Sequence, residues 1–366
     1  MFIKNIKLLG FRNYLEADLF FDKKKTIIIG KNAQGKTNLL EVIQILSQGK
    51  SRRAIRDAEL VNFNLSEAFI HAAIEPDLTI ALGLRSSGRR TVKVNDVTKK
   101  PKEFLHHIYS VSFMADDLEI VQGSPSMRRD WIDAVIIQLE LNYNERCIKL
   151  KEVLSQRNSF LKKLNSIGIF RSEELKPEQL AQLEVWDEVL IEAANYISAK
   201  RTEYLFKLQP IAQAYYQEIA NSDMALDFHY DGKEINKLDL LQCRTKDLIR
   251  AVTHVGPHRD EIDFLLGGRL AKTFASQGER RTITLALKLA ELVLLKEAHG
   301  GSPILLLDDV LAELDESRQD YLLDAIDDET QVIITTTHLG SHIDKWSNNA
   351  QILEVENGII KQHAIN

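Results

Sequence analysis

Cysteine is nearly absent from this sequence. The chain of 366 residues contains only Cys147 and Cys243, which lie far apart and outside any CxxC or Cys/His spacing. Such spacing indicates neither a disulfide framework nor a structural zinc site. The sequence therefore predicts a protein of a reducing compartment.

Long hydrophobic runs are also missing. Residues 1–8 alternate apolar and polar side chains like a strand, and they lack the continuous apolar stretch of a signal peptide. No run approaches the length of a membrane span. With 7 Pro, 17 Gly and 44% hydrophobic residues, the composition argues against collagen, low complexity and global disorder. We expect a cytoplasmic, packed protein of two or three domains that does not contact a membrane.

An excess of positive charge is lacking as well. The chain has 47 Lys and Arg against 53 Asp and Glu, a net charge of −6. This excludes a globally basic nucleic-acid binder, but local basic patches exist. A solvated surface and a nucleic-acid-binding surface remain equally open for them. The candidate nucleic-acid-binding residues are Lys50, Arg52, Arg53, Arg56, Arg89 and Arg90.

Three regions follow from the pattern along the chain. Residues 1–128 and 225–366 mix strands with helices, whereas residues 129–224 show helical spacing. We therefore expect one discontinuous body, formed by an N-terminal and a C-terminal lobe, with a helical insertion between them.

Within the insertion, apolar residues at helical spacing predict one long helix over about 131–164 and a second over about 179–208. Pro210 is expected to break or kink the second helix. The short linker favours an antiparallel return. The two helices would form an arm that is either exposed and coiled-coil-like or packed on the body.

The strongest motif lies at residues 30–37, Gly-Lys-Asn-Ala-Gln-Gly-Lys-Thr, which matches GxxxxGK[ST] after an apolar strand and before a helix. In such a loop, backbone N–H groups wrap phosphate oxygens, Lys36 meets the β- and γ-phosphates, and Thr37 ligates Mg²⁺. The predicted nucleotide-binding residues of this loop are Gly30, Lys31, Asn32, Ala33, Gln34, Gly35, Lys36 and Thr37.

An acid pair ends a second apolar strand, at residues 303–309. Asp308 is the candidate Mg²⁺ ligand, and Asp309 is the candidate base that polarises the attacking water. About 30 residues earlier, Ser276-Gln-Gly-Glu279 introduces a helix over about 281–297. Taken alone this segment is an ordinary capping box, but its position before Asp308 favours a role at a phosphate.

The order of these motifs, continued by Leu314-Asp315 and Thr337-His338, resembles the ABC-type ATPase heads of SMC-like DNA repair proteins. The resemblance extends over essentially the whole chain. It implies an α/β fold, an ABC-type P-loop ATPase head of mixed sheet and helices with an inserted α-helical, coiled-coil-like arm. Further segments that carry it are Phe11-Arg-Asn-Tyr14, Gly123-Ser-Pro-Ser126, Arg128-Arg-Asp130 and Gly256-Pro-His-Arg-Asp260.

The same resemblance implies that ATP and Mg²⁺ join two heads. The segment with Ser276 and Gly278 would close over the γ-phosphate held by the phosphate loop of a second copy, giving an ATP-dependent homodimer. Asp315 would lie in the loop that crosses this interface, His338 would act with Asp309 in catalysis, and Arg12 would contact phosphates.

For function, the resemblance implies recombinational gap repair. The dimer would clamp double-stranded DNA near single-strand gaps and, with RecR and RecO, promote RecA loading onto single-stranded DNA and the SOS response. Hydrolysis is expected to be slow and DNA-stimulated, because Asp309 stands where ABC ATPases often have the longer Glu. An ATPase that powers transport or a nuclease, and a dimer that binds nucleotide without hydrolysis, remain open alternatives. The role of Asp116 and Asp117 at the glutamine-loop position also stays open.

Overall fold

The computed structural model describes residues 1–100, 103–337, 346–347 and 349–362. These residues form two compact units. The head unit comprises residues 1–119, 214–223 and those from 276 onward, and the arm unit comprises residues 120–213 and 224–275. The domain limits expected from the sequence, 1–128, 129–224 and 225–366, stay a prediction. In the division into compact units, residues 224–275 belong with the helical insertion.

Fifteen strands occur in the described residues. In chain order they are β1 (Ile3–Phe11), β2 (Tyr14–Phe20), β3 (Lys25–Ile29), β4 (Glu67–Ile74), β5 (Leu78–Arg85), β6 (Thr91–Val94), β7 (Val97–Lys99), β8 (Ser110–Met114), β9 (Leu226–Tyr230), β10 (Ile262–Leu266), β11 (Arg269–Leu270), β12 (Ile304–Asp308), β13 (Val332–Thr336), β14 (Gln351–Glu356) and β15 (Ile359–Gln362).

The described residues also form eight α-helices. They are α1 (Lys36–Gln48), α2 (Pro125–Leu139), α3 (Tyr143–Ser166), α4 (Pro177–Ala220), α5 (Lys237–Arg250), α6 (Ala271–Phe274), α7 (Gln277–His299) and α8 (Glu316–Ala325). Short 3₁₀ turns lie at Asp57–Glu59, Ala115–Glu119, Ser172–Glu174 and Leu311–Glu313. No described helix offers a stretch apolar and long enough to traverse a lipid bilayer.

The first sheet of the head unit is antiparallel, in the order β2-β1-β4-β5-β6-β7. Its strands alternate between buried and solvent-facing residues, as the sequence pattern predicts for a sheet with one wet face. On the inner face, Leu8 pairs with Ile70, Ile70 with Leu82, and Leu82 with Val92, and all four are buried. This face contributes to the main core of the head unit, which also includes residues of α1.

The second sheet has the order β15-β14-β3-β13-β12-β8. Its strands β14, β3, β13, β12 and β8 run parallel, and β15 is an antiparallel edge. The strands β3, β13 and β12 are buried and apolar, as parallel strands covered on both faces are. Because β3 and β12 both run parallel to β13, which lies between them, the carboxyl ends of all three strands lie at the same edge of the sheet. This edge therefore carries both the loop after β3 and the acids at the end of β12.

Two predicted features of the insertion differ from the structure. The single helix expected over about 131–164 is two helices, α2 and α3, separated at residues 140–142. Glu140 is extended there (φ −122°, ψ 113°), and its carboxylate accepts hydrogen bonds from Lys200 Nζ (2.5 Å) and the Tyr204 hydroxyl (2.9 Å). These contacts with α4 fix a break that the helical spacing alone does not reveal.

The other difference concerns Pro210, which lies inside α4 and does not break it, while the kink expected as the alternative stays a prediction. The helix continues to Ala220. Proline removes one hydrogen bond to the carbonyl four residues earlier, which here belongs to Phe206. Phe206 is 82% exposed, so that water can reach this turn of the helix and compensate for the lost bond.

The helices α3 and α4 run antiparallel, as predicted. Arg146 near the start of α3 bonds to Glu192, and Arg157 further along bonds to Asp187. A third helix, α5, packs on this pair through a small apolar cluster with Leu161, Leu164, Leu183 and Leu248. The arm is therefore a packed set of helices rather than an isolated pair.

Candidate functional site

The phosphate loop connects β3 to α1, and close backbone approach determines its glycines. A Cβ at Gly30 would lie 2.4 Å from the Val355 carbonyl oxygen, and one at Gly35 would lie 2.6 Å from Asn13 Nδ2. Gly35 also has a φ of +115°, which favours glycine. None of the described side chains caps the N-terminus of α1. Its first N–H groups and the positive end of the helix dipole suit a phosphate group.

Lys36 is 4% exposed and directs its amine onto the phosphate loop itself. Nζ donates to the carbonyl of Gly30 at 2.8 Å and to that of Lys31 at 3.3 Å. The same nitrogen lies 3.9 Å from Asp309 Oδ2. The positive charge is thus placed between the loop and the second acid of the predicted pair.

Thr37 and Asp308, the two predicted Mg²⁺ ligands, lie together. Thr37 Oγ1 donates to Asp308 Oδ1 at 3.1 Å, and Thr335 Oγ1 donates to the same oxygen at 2.5 Å. Burial raises the pKa of Asp308, the two hydroxyl hydrogen bonds oppose that rise, and the neighbouring Asp309 adds to it. Hydroxyl and carboxylate oxygens are the ligands that Mg²⁺ prefers, so that the donor set fits this ion.

Asp309 leaves the line of β12 through a left-handed backbone conformation (φ +52°). Its N–H donates to the carbonyl and to the hydroxyl of Thr335, both at 3.2 Å. Asp tolerates this region better than most residues, yet such a conformation costs on the order of 1–3 kcal/mol and persists where the surroundings hold it. The turn places a 40% exposed carboxylate beside Lys36, and the role of Asp309 as the base stays a prediction.

The segment Phe11–Tyr14 supports the phosphate loop from the first sheet. Asn13 Nδ2 donates to the carbonyl of Gln34 at 2.8 Å, and the Tyr14 hydroxyl donates to that of Gly35 at 3.0 Å. Arg12, predicted to contact phosphates, forms a bidentate pair with the buried Glu41 at 2.9 and 2.7 Å. Its guanidinium is therefore occupied by a carboxylate in this structure, and a phosphate contact stays a prediction.

A second support, which sequence reasoning missed, comes from the turn between β14 and β15. Asn357 N donates to Gln34 Oε1 at 2.6 Å, and Gly358 N donates to the carbonyl of Gln34 at 3.3 Å. A Cβ at Gly358 would lie 2.7 Å from the Asn13 carbonyl oxygen. The Asn-Gly pair predicts this hairpin turn, but nothing in the sequence pattern indicates that the turn holds the phosphate loop.

The segment Ser276–Glu279 opens α7 with a complete capping box. Ser276 Oγ accepts from Glu279 N at 3.2 Å, and Glu279 Oε2 accepts from Ser276 N at 2.7 Å. Asp315 caps α8 in a similar way, accepting from Arg318 N at 3.0 Å. Ser276 thus caps the helix that contains Gly278, and Asp315 caps α8, both within the head unit.

The candidate DNA-binding residues fall into two groups. Arg52 pairs with Asp117 at 2.8 Å, and Arg90 forms a bidentate pair with Asp57 while donating to the Gly49 carbonyl at 2.8 Å. Arg90 thereby joins the basic stretch around residue 89 to the one around residue 53. Of the other candidates, Arg53, Arg56 and Arg89 are exposed and Lys50 is half-buried. Arg53 donates to the neutral Asn38 Oδ1 at 3.1 Å, and Arg56 Nε lies 3.6 Å from Glu59 Oε1.

Asp116 and Asp117 have different surroundings. Asp116 is exposed, whereas Asp117 is 5% exposed and lies between Arg52 and Lys288, whose Nζ is 3.5 Å from Asp117 Oδ2. Lys288 and Arg52 lower the pKa of the Asp117 carboxyl against the effect of burial. Its role in the described structure is an ion-pair centre between the chain after α1 and helix α7. His338, the remaining predicted catalytic residue, lies outside the described residues.

Two further motifs meet inside the arm unit. Arg128, 2% exposed, binds Glu261 Oε1 through Nε and Nη2 at 3.0 and 2.6 Å, and Arg129 donates to the Asp260 carbonyl at 2.7 Å. Burial lowers the pKa of the neighbouring His258 to about 4. These residues join α2 to the chain before β10, which accounts for both motifs by packing rather than by chemistry.

Comparison with known proteins gives consistent relatives. A family model described as the RecF/RecN/SMC N terminal domain matches residues 2–361. A protein of Microcystis aeruginosa named DNA replication and repair protein RecF is 42% identical, covering 98% of this chain and 100% of the relative. One of the same name from Cyanothece sp. is 41% identical over 98% of each chain.

Solved structures agree. The structure of the recombination mediator protein RecF-ATPrS in the RecFOR pathway has a TM-score of 0.85 at 34% identity, covering 99% of this chain and 98% of the other. The Smc head domain of Pyrococcus furiosus has a TM-score of 0.53 at 17% identity, covering 100% and 96%, and so shares the fold alone.

Proposed function

This chain belongs to the RecF proteins of the RecF/RecN/SMC family, and on that premise we propose that it is an ATP-dependent DNA-binding protein of recombinational gap repair. The same similarities confirm the fold class expected from the sequence, an ABC-type ATPase head with an inserted helical arm. In the proposed function, ATP joins two heads, and the resulting clamp engages duplex DNA near a single-strand gap. RecR and RecO then act with it to promote RecA loading.

One observation carries the nucleotide part of the proposal. The hydroxyl of Thr37, at the end of the phosphate loop, donates to the carboxylate of Asp308. Asp308 ends β12, which is separated from β3 by one strand, β13. Residues 271 positions apart in the chain are thus brought to one point, beside the buried amine of Lys36. A bare structural turn would not require a hydroxyl, a carboxylate and an amine to meet there.

Each residue then has a defined task. Lys36 and the N–H groups at the start of α1 bind the phosphates, while Thr37 and Asp308 hold the ion. Mg²⁺ and ATP, when bound, supply charge neutralisation and the bond to be hydrolysed. Asp309 orients water and accepts its proton, and the short reach of this acid makes turnover slow. Ser276, Gly278 and Asp315 serve the nucleotide of the second copy.

The first experiment is the solution mass with no nucleotide, with ADP and with ATP, each with and without a gapped duplex. We expect a dimer only with ATP, and a tighter one on DNA. A monomer that hydrolyses ATP at the same rate with and without DNA would contradict the clamp and would favour an ATPase that powers another process.

Two substitutions separate binding from turnover. Lys36→Ala is expected to abolish ATP binding, because it removes the buried amine that lies on the phosphate loop and would meet the β- and γ-phosphates. Asp309→Asn is expected to keep ATP binding, stop hydrolysis and accumulate the dimer. Equilibrium binding of a labelled ATP analogue and phosphate release measure the two effects. Normal hydrolysis by Asp309→Asn would show that another group is the base.

A further inference from the structure

The start of α7 and the Asp315 loop, which the proposed function assigns to the nucleotide of the second copy, are joined by a single arginine within one head. Arg318 lies in the first turn of α8. Its backbone N–H and its Nη1 both bond to the Asp315 carboxylate. Its Nε and Nη2 reach across to α7 and donate to Thr282 Oγ1 at 3.0 and 2.8 Å.

The contact extends to the Ser276–Glu279 segment itself. Nη2 also donates to the carbonyl of Gly278 at 3.2 Å, and Thr282 Oγ1 donates to the same carbonyl at 3.1 Å. A Cβ added at Gly278 would lie 3.6 Å from Nη2. The guanidinium therefore lies directly beneath the glycine that the proposed function brings against the other copy's phosphate.

The chemistry of these contacts requires arginine. One planar group supplies donors in three directions at once, to a carboxylate, a hydroxyl and a backbone carbonyl, which a lysine ammonium on a flexible chain cannot reproduce. The side chain is 20% exposed, so that these bonds are partly shielded from water. By contrast, Arg281 links the same two elements through Glu313 at 2.9 Å, with side chains 30% and 47% exposed, and an exposed pair of this kind contributes little.

We propose that Arg318 is a positioning residue that holds the Ser276–Glu279 segment and the loop containing Asp315 as one rigid surface, so that both meet the nucleotide of the second copy together. This inference rests on the proposed function, because it concerns the closed pair of heads. The hydrogen bonds of the Arg318 side chain go to Asp315, Thr282 and Gly278, none of which belongs to the phosphate loop of its own head. Removal of this side chain should therefore leave ATP binding to the isolated head unchanged and weaken only the closure of two heads.

The test compares Arg318→Ala, Arg318→Lys and the matched control Arg281→Ala. For each, the Kd for ATP is measured at protein concentrations that keep the chain monomeric, and the ATP concentration that gives half-maximal dimer is measured by sedimentation. We expect Arg318→Ala to raise the second value about tenfold or more, the loss that partly buried bonds to a charged group predict. Its Kd should stay within about twofold of the parent protein. Arg318→Lys should be intermediate, and Arg281→Ala should change neither value.

A mixing experiment excludes a simple folding defect. A head with Lys36→Ala cannot hold ATP but keeps an intact Arg318 surface, whereas a head with Arg318→Ala holds ATP but presents a loosened surface. In a mixed pair, the ATP of the second head meets the intact surface of the first. We expect a mixture of the two variants, one of them fluorescently labelled, to form ATP-dependent pairs that neither variant forms alone at the same ATP concentration.

The outcomes are distinct. If the parent protein stays monomeric with ATP, the proposed function fails and this inference fails with it. If the parent dimerises and Arg318→Ala dimerises at the same ATP concentration, only this inference fails. Equal losses in Arg318→Ala and Arg281→Ala, or a raised Kd for ATP in Arg318→Ala, would also overturn it.

Discussion

Asp308 combines a chemical role with a cost to the folded state. Burial raises its pKa, and the adjacent Asp309 carboxylate adds to that effect, so that the ionised form is less favourable in the folded chain than in the unfolded one. This cost is present at neutral pH and disappears as the pH falls through the raised pKa, because the folded state then takes up the proton. In the proposed function, the charge is kept because Mg²⁺ requires an ionised ligand.

We therefore expect Asp308→Asn to unfold at an equal or higher urea concentration than the parent protein at pH 7. The amide oxygen can still accept from Thr37 and Thr335, while the ionised ligand is lost. Mg²⁺-dependent ATP binding should weaken by roughly 10–100-fold. Calorimetric titration with and without Mg²⁺ provides the control, since binding without Mg²⁺ should change little. A variant less stable than the parent would contradict this account.

His258 makes the stability of the arm unit depend on pH in the acid range. Burial, together with Arg259 and Arg129, lowers its pKa to about 4, and the hydrogen bond to the Thr253 carbonyl only partly opposes this. The unfolded chain therefore binds a proton between the ordinary histidine pKa of about 6.5 and pH 4, and the folded chain does not. The free energy of unfolding should therefore decrease as the pH falls from about 6.5 to about 4.

The expected size is about 2 kcal/mol between pH 7 and pH 5, from about 1.4 kcal/mol per pH unit over the part of that interval below pH 6.5. His258→Gln keeps a donor for the Thr253 carbonyl but does not titrate, and should remove most of this dependence. Urea unfolding followed by fluorescence of Trp131 and Trp186 at the two pH values measures it. An unchanged dependence in the variant would assign the effect to other groups.

At this scale, the sequence predicts the residues whose type and spacing chemistry dictates. Lys36, Thr37 and Asp308 could be assigned to phosphate and Mg²⁺ because the motif and its strand context require them, and the structure brings them together. The roles of Glu41 and Arg318 could not be predicted from the sequence. Their contacts, Arg12 with Glu41 and Arg318 with Gly278, join residues 29 and 40 positions apart in no regular pattern, and only tertiary packing reveals them.

Among the elements, the turn between β14 and β15 gives a sharp test because a matched glycine exists. Gly358 and Gly300 have φ values of +75° and +67°, so that alanine is strained at both, at a cost of about 1 kcal/mol. A Cβ would collide with the Asn13 backbone at Gly358, whereas it would meet nothing within 4 Å at Gly300. The two substitutions differ only in what the new methyl group touches.

We expect Gly300→Ala to lower the free energy of unfolding by about 1 kcal/mol. Gly358→Ala should lower it further, because its Cβ collides with the Asn13 carbonyl oxygen, and should be the one of the two that also weakens ATP binding. The reason is that Asn13 and Gln34, which shape the phosphate loop, must shift. Thermal unfolding and ATP titration of the two variants decide the matter. Equal ATP affinity in both would show that the turn is dispensable for the loop.

Elements with strong periodicity or strong turn signals are predictable. The alternating or β-branched residues at 68–74, 78–84 and 91–94 predict strands, and those at 352–355 and 359–362 around Asn357-Gly358 predict a hairpin; the structure has β4, β5, β6 and the β14–β15 hairpin close to these bounds. The break between α2 and α3 is not predictable, since the apolar spacing continues through it and the interruption depends on Glu140 bonding to α4. The continuation of α4 through Pro210 likewise depends on local exposure rather than on the propensity of proline. A tertiary contact thus overrides the helical spacing at the α2–α3 break.

For the whole molecule, the net charge of −6 means that most of the surface repels DNA. Binding in the proposed function must come from a local patch, and the exposed residues Arg53, Arg56 and Arg89 are its best-placed members. Affinity should fall steeply with salt, because phosphate contacts release counterions. Each substitution to Ala should reduce the slope of log affinity against log salt by about one.

Fluorescence anisotropy with a gapped duplex between about 50 and 200 mM salt measures these slopes. Arg52→Ala should leave the slope nearly unchanged because its guanidinium is paired with Asp117. The comparison of Arg52 with Arg53 thus distinguishes a DNA contact from a structural ion pair on neighbouring residues. A binding constant that does not depend on salt would refute phosphate contact as its source.

The hydrogen bond between Asn357 and Gln34 spans 323 residues, and this has a consequence for synthesis on the ribosome. The strand β3, which precedes the phosphate loop, pairs only with β13 and β14, and neither exists until most of the chain has been translated. At about 5–20 residues per second, Gln34 waits roughly 16 to 65 s for its partner. A nascent chain therefore carries an unfinished nucleotide site for nearly its whole period of elongation, and ATP cannot guide its folding until the last strands emerge.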